Sequence, residues 1–454
     1  MRQGRGVVWA AATVRVAVVL VTAGGCGGGK APAPVAMPAG GGTGAFGVVT
    51  ANGTQKLYLP LASNVAGSTN GQIAVVDVGV PGAGVKGAGA LITNIDLGTT
   101  ARATTTGGDS TVIVAASTSA PMVWFIDPKT DTLLSTLMLD ETYGRSSFSG
   151  GGGYVTGVAM DSAHHLAILS VWNGFALVDT DSRTVVGTAP AAPSENFGFD
   201  PGRRWIVAPF YECTGAHSTG AGAVPPPCSS YKNSAGAMLG QGLNIIDLND
   251  MPPTTYTYQL ATPVMSNSAL LPVGGEPDSA SIDVATGVVV VPAESSETHS
   301  VIDFGAATFD RATNSVTAPI HVVPAAGRSE GVSIDNVQHL AFFEGEGTSN
   351  IGIMDLTAAN AGTGAFLGAT MPPLPGGSGS WSNIADPHGI AVTTGILDSK
   401  PVGFVVNSAR RWVARVDLPG LLALLSAARA DGGVGRATPD VSSVVTFLDA
   451  TLAR

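Results

Sequence analysis

Residues 157–189 read GVAMDSAHHLAILSVWNGFALVDTDSRTVVGTA, and this stretch decides the fold. It divides into four short apolar runs: GVAMD (157–161), HLAILSVW (165–172), FALVD (175–179) and SRTVVGTA (182–189). Between them lie Ser, Asn, Asp and Gly, residues that favour turns. Val- and Ile-rich runs of this length, broken by such turns, predict β-strands joined as hairpins. We denote the four strands a, b, c and d.

The pattern repeats along the chain. The c element, a strand closing on an apolar residue and Asp, appears as IAVVD (73–77), VWFID (123–127), FALVD, LNIID (243–247), HSVID (299–303), IGIMD (351–355) and VARVD (413–417). The a element appears as GVAMD, NFGFD (196–200), SASID (279–283) and GVSID (331–335). Weaker copies are DSTVIVAAS (109–117) and HGIAVTTG followed by PVGFVV (388–406). Four strands per unit of about 40–60 residues is the period of a propeller blade. The expectation is an all-β, seven-bladed β-propeller of four-stranded antiparallel blades over residues 46–454. A short helix at LLALLSAARA (421–430) interrupts the last unit.

FALVDTDSRTVVGTA and VWFIDPKTDTLLSTL resemble the YVTN-type repeats of seven-bladed β-propellers. GVSID and HGIAV are similar to elements of NHL and gluconolactonase/regucalcin-type propellers. The resemblance spans nearly all of residues 46–454. It implies the fold, and it leaves the activity open, because these propellers host enzymes, binders and scaffolds.

Composition narrows the classes. The chain has 454 residues, 44% hydrophobic and only 12% charged, with 61 Gly and 29 Pro. So few charges argue against a disordered chain and against a coiled coil. The net charge is −11. A surface of that sign repels phosphate backbones, which disfavours a nucleic-acid partner. Beyond residue 25 no apolar run approaches the ~18 residues that cross a bilayer.

The N-terminus reads as an export signal. Arg2, Arg5 and Arg15 supply positive charge, Val16–Val21 is a short apolar core, and Ala23-Gly24-Gly25 precede Cys26. Residues 1–25 resemble a bacterial lipoprotein signal, which implies lipidation of Cys26; the alternative is an ordinary signal peptide cut nearby. Residues 26–45, rich in Gly, Pro and Ala, fit a flexible tether. Gly27 rather than Asp after the cysteine favours the outer membrane by analogy with Gram-negative sorting. Setting Cys26 aside leaves Cys213 and Cys228. An oxidising compartment would pair them as a disulfide, worth about 3 kcal/mol for a loop of this length in the chain-entropy model; the alternative is two free thiols.

The seven c-element acids, Asp77, Asp127, Asp179, Asp247, Asp303, Asp355 and Asp417, are expected to cap turns rather than to form a site. Candidate chemistry lies instead at the position just before each a element: Thr156, Glu195, Asp278, Glu330 and His388. In a propeller these positions converge on one channel mouth. Glu276 and Asp386 lie nearby in sequence, and the b–c connections add Glu294, Glu297, His299, Glu344 and Glu346. Converging carboxylates repel unless a cation, a proton or solvent relieves them, and oxygen donors suit hard cations such as Ca²⁺. Resemblance to gluconolactonase-type propellers implies one divalent metal at the mouth, with Glu330 matching the acid that opens the metal motif. The alternative is a set of solvated loop residues.

Other matches fail on context. GRSEG (327–331) fits a nucleophile elbow, but a strand rather than a helix follows. GTGAFG (42–47) and GAGVKG (82–87) fit a dinucleotide fingerprint but open no helix. Repeated Trp-containing docking motifs of quinone-dependent dehydrogenases are missing. The expected role is a binding or scaffold protein for a protein or small-molecule partner, lipid-anchored at the cell envelope. The alternative is a divalent-metal-dependent hydrolase of the lactonase type.

Overall fold

Each four-run unit of the sequence becomes one antiparallel sheet. A computed structural model describes residues 47–51, 54–60, 69–79, 90–140, 143, 145–148, 151–171, 174–191, 194, 196–210, 242–250, 268–271, 273, 277, 279–293, 298–310, 312, 315–324, 329, 331–344, 350–362, 366–370, 390–397, 400–407, 412–430 and 440–449. Sheet I holds Gly47–Ala51, Thr54–Pro60, Gln72–Gly79 and Ala90–Asp96. Sheet II holds Thr105–Gly108, Ile113–Ala116, Met122–Asp127 and Thr132–Met138. Sheet III holds Val155–Asp161, Leu166–Val171, Gly174–Asp179 and Thr184–Pro190. Sheet IV holds Gly198–Asp200, Trp205–Phe210, Gly242–Asp247 and Ser268–Leu271. Sheet V holds Ser281–Asp283, Val288–Val291, Thr298–Asp303 and Ile320–Pro324. Sheet VI holds Val332–Asp335, Leu340–Glu344, Asn350–Asp355 and Phe366–Thr370. Sheet VII holds Ile390–Leu397, Lys400–Asn407, Trp412–Asp417 and Val445–Asp449.

From sheet I to sheet VII, the a strand of each sheet lies against the a strand of the next. Six apolar cores fill the spaces between successive sheets. Alternation of side chains along a strand explains how one sheet serves two cores. In sheet V, Val289, Val291 and Ile302 pack toward sheet IV, while Val288, Val290 and Val301 pack toward sheet VI. A strand buried on both faces has no polar positions to alternate, so it reads VVVV. Trp124 is fully buried in the core between sheets I and II, as expected of a packing residue.

Three of the described insertions fall between strands c and d, and a hairpin of Arg145–Phe148 and Gly151–Gly153 lies between sheets II and III. The helix foreseen at 421–430 spans Leu418–Ala430, and Leu418, Leu421 and Leu425 join the core with sheet VI. A short helix, Leu356–Asn360, starts on the Asp355 cap in sheet VI. Between strands c and d of sheet V a hairpin, Thr308–Asp310 and Ser315–Thr317, joins the outer edge of sheet IV through a parallel bridge from Ser315 to Leu270. Phe309 on that hairpin packs 5.2 Å from the Trp205 ring. Among the described residues no helix is long and apolar enough to cross a membrane.

Candidate functional site

An antiparallel meander puts its a–b and c–d turns at one end and its b–c and d–a connections at the other. The seven sheets therefore define a turn face and an open face. The strands a of sheets IV, V, VI and VII begin on the open face at Gly198, Ser281, Val332 and Ile390. Glu195, Asp278, Glu330 and His388, the expected site residues, lie outside the described residues, as do Glu276, Glu294, Glu297, Glu346 and Asp386. The register behind their common offset is uniform. Asp161, Leu166 and Asp179 stand in one lateral row of sheet III, as do Asp200, Trp205 and Asp247 in sheet IV. Asp283, Val288 and Asp303 in sheet V and Asp335, Leu340 and Asp355 in sheet VI repeat the row. Cys26, Cys213 and Cys228 also lie outside the described residues; the last two fall between strands b and c of sheet IV.

Of the candidates at the mouth, Glu344 ends strand b of sheet VI, and Thr156 and His299 are described with their contacts. Thr156 sits at a bulge in sheet III and donates its hydroxyl to the Ser194 carbonyl, 2.7 Å away. Ser170 donates to the same carbonyl at 2.6 Å, so the d–a link into sheet IV is pinned by two hydroxyls. His299 is fully buried and stacks on Phe343 of sheet VI with ring centroids 4.4 Å apart. Burial depresses its pKa to about 4, so the ring is neutral at physiological pH.

The a strands approach one another closely. A Cβ on Gly107 would stand 3.0 Å from the Val158 side chain and carbonyl of sheet III. One on Gly198 would stand 3.2 Å from the Ala280 carbonyl of the link into sheet V. Backbone meets backbone at these points. Among the described residues no three of His, Cys, Asp and Glu stand close enough to hold a metal ion.

On the turn face the structure reveals a second acid row. Asp161, Asp200, Asp283 and Asp335 end the a strands and are fully buried, and Asp109 follows strand a of sheet II. Each opens a turn, and all but Asp161 accept its N–H groups; Asp200, for example, takes those of Gly202 and Arg203 at 2.8 and 3.0 Å. The last turn residue adopts positive φ in His165, Arg204, Gly287 and His339, and the c–d turns repeat this at Asp131 and Arg183.

Asp109, Asp161 and Asp283 also bind the neighbouring sheet, and Asp200 reaches one through Arg203. Asp161 accepts from Arg204 Nε of sheet IV at 3.0 Å and pairs with His164 Nδ1 at 2.8 Å. Asp283 Oδ2 stands 2.6 Å from His339 Nδ1 of sheet VI. Burial works against the Asp109 carboxylate, but the hydroxyls of Ser162 in sheet III and Thr111, with the N–H groups of Thr111 and Val112, hold its pKa below the ordinary value. Gly287 leaves room for Arg203, which bonds Asp200 at 2.7 Å and reaches the Val284 carbonyl of sheet V at 3.0 Å. On sheet I, Lys56 Nζ and the Tyr58 hydroxyl hold the two oxygens of Asp131 in sheet II, at 2.7 and 2.6 Å. Burial, then the hydrogen bond to Asp131, drives the Tyr58 pKa far upward. The c-strand acids behave as expected: Asp127, Asp179, Asp247, Asp303, Asp355 and Asp417 accept from turn N–H groups.

Sheets of this form, meeting along their first strands, define a β-propeller. One solved structure agrees. Hydrazine synthase of Kuenenia stuttgartiensis superposes with a TM-score of 0.51 at 9% identity, covering 83% of this chain and 96% of that one. A functionally unknown protein from Desulfotomaculum acetoxidans gives 0.49 at 10% identity, covering 77% and 89%. Hsv2 of Kluyveromyces lactis gives 0.40 at 8% identity, covering 83% and 94%. The likeness to hydrazine synthase shows the propeller fold and nothing of function. No protein-family model matches the chain, and no curated protein is similar to it in sequence.

Proposed function

We propose that this chain is an exported, lipid-anchored, seven-bladed β-propeller that binds a protein or small-molecule partner through its open face. One observation carries the reading: consecutive a strands lie side by side and begin on that face, where the sequence sets Glu195, Asp278, Glu330 and His388 at one common offset. The turn face, by contrast, commits its buried carboxylates to holding sheets together. A rigid body with a polar rim suits recognition.

The test places a photo-crosslinking residue at Ser119, exposed in the b–c connection of sheet II, or at Val337, exposed in an a–b turn of sheet VI. In cells producing the full chain, a discrete adduct from position 119 and none from 337 is expected. Adducts from 337 alone, or from neither, would overturn the reading. Palmitate labelling that persists in Cys26→Ala would remove the lipid anchor. Lactonase-type hydrolysis replaces binding if the purified chain holds stoichiometric Ca²⁺ and opens a lactone, and Glu330→Ala abolishes both.

A further inference from the structure

Lys56 breaks a pattern that other sheets keep. It stands opposite Asp77, the acid that ends strand c of sheet I. In sheets III to VII the strand b residue opposite the corresponding acid is Leu166, Trp205, Val288, Leu340 and Val402. Lys56 is only 5% exposed and lies on the same face of its strand as Tyr58, which packs toward sheet II. The c–d turn of sheet II meets both side chains. Asp131 closes that turn at positive φ, with its N–H donating to the Asp127 carbonyl at 2.8 Å. In sheet III the same turn position holds Arg183. The lysine and the acid thus belong to this one contact rather than to the repeat.

The three side chains are placed to react with one another. Lys56 Nζ lies 2.7 Å from Asp131 Oδ2 and donates to the Pro128 carbonyl at 3.0 Å. The Tyr58 hydroxyl donates to Asp131 Oδ1 at 2.6 Å. The Lys56 and Asp131 side chains are 7% and 10% exposed, which shuts out an external substrate. Burial also penalises the ion pair, because both charges have given up water. A neutral amide removes that penalty. Groups held in contact and well oriented act at effective concentrations of about 10⁵ M or more, which favours joining them.

We infer that Lys56 and Asp131 condense into an isopeptide bond between sheets I and II, with Tyr58 as the catalytic hydrogen-bond donor. The ammonium first passes one proton to Asp131 Oδ2. The free amine then attacks Asp131 Cγ and forms the C–N bond, while the Tyr58 hydroxyl stabilises the negative charge that develops on Oδ1. The Cγ–Oδ2 bond breaks, and Oδ2 leaves as water with the proton it received and a second from the nitrogen. The third proton stays on the amide nitrogen. Both charges disappear, and nothing is oxidised or reduced. The product keeps its partners: the new N–H has the Pro128 carbonyl to donate to, and Oδ1 still accepts from Tyr58. Tyr58 retains its proton for this role, because burial and Asp131 drive its pKa far upward. The bond ties together residues 75 positions apart. This rests on the contact between sheets I and II and not on export or binding.

Peptide mapping of the full chain tests the inference. Protein purified from the producing cells is unfolded, digested with trypsin and read by mass spectrometry. One species should join the segments that contain Lys56 and Asp131, lighter by one water than their sum, with no cleavage after Lys56. Lys56→Gln should abolish that species and retain native circular dichroism. In a time course after cell-free synthesis, Tyr58→Phe should join about tenfold more slowly or worse. Two separate peptides from folded wild-type protein, with cleavage after Lys56, overturn the inference, and so does a joined species that persists in Lys56→Gln. Equal rates in wild type and Tyr58→Phe remove Tyr58 from the step. Should Lys56→Gln fail to fold, the wild-type map decides alone. Loss of the open-face adduct would sink the binding proposal and leave all of these outcomes unchanged.

Discussion

Asp161→Ala offers the sharpest test of how the sheets are held together. The carboxylate is fully buried, pairs with His164 in its own turn and accepts from Arg204 of sheet IV. Truncation leaves a guanidinium that is itself only 13% exposed without this acceptor. Removing one partner of a buried ion pair costs about 3–5 kcal/mol. Spread over roughly 400 cooperatively unfolding residues, about 4 kcal/mol lowers Tm by about 5 °C. Asp355→Ala is the control. That acid is exposed and caps a five-residue helix through the Thr357 and Ala358 N–H groups, so its loss should cost about 1 kcal/mol. Urea unfolding of both variants, with Arg204→Ala and the double variant Asp161→Ala/Arg204→Ala, gives the coupling across the two sheets. Equal costs for Asp161→Ala and Asp355→Ala, or a coupling below about 0.5 kcal/mol, would refute a sheet-to-sheet role for the buried row.

Other outcomes follow from single contacts. Gly287→Ala should destabilise by at least about 1 kcal/mol in urea, because φ is +82° and the new methyl would press on Arg203 and the Gly305 N–H. His299 has a folded pKa near 4, below its unfolded value of about 6.5, so the unfolded chain takes up the proton first. Stability should then fall as pH drops from about 6.5 to about 4, and His299→Gln should flatten urea midpoints over that window. Asp109 and Asp179 have lowered pKa values, and the stability they lend is present above an unfolded pKa of about 3.9 and lost as pH falls through their folded values. Asp109→Asn should therefore make the acid-unfolding curve shallower below pH 4.

Strand order was legible because burial on both faces leaves a one-dimensional mark. Val288–Val291 could only be a strand between two layers, and the terminal Asp of each c strand announced a turn that the N–H groups of Lys129, Ser182 and Ala306 complete. The a-strand acids carry the same mark, an apolar residue followed by Asp. What separates them is burial, and for Asp161 and Asp283 a partner far along the chain: Arg204 lies 43 residues from Asp161, and His339 lies 56 residues from Asp283. The Thr308–Thr317 hairpin leaves no such mark in the sequence. Its strands are three residues long, and it joins sheet IV although it follows strand c of sheet V.

The sequence by itself determined the four-strand unit, its seven recurrences, the turn acids and the terminal-sheet helix. All of these follow from side-chain alternation and from local hydrogen bonding within a few residues. Only the tertiary structure decided which acids clasp a neighbouring sheet, where a hairpin adds an edge, and how closely the a strands approach. Those depend on residues far apart in the chain meeting across an interface, and no local pattern records who the partner is.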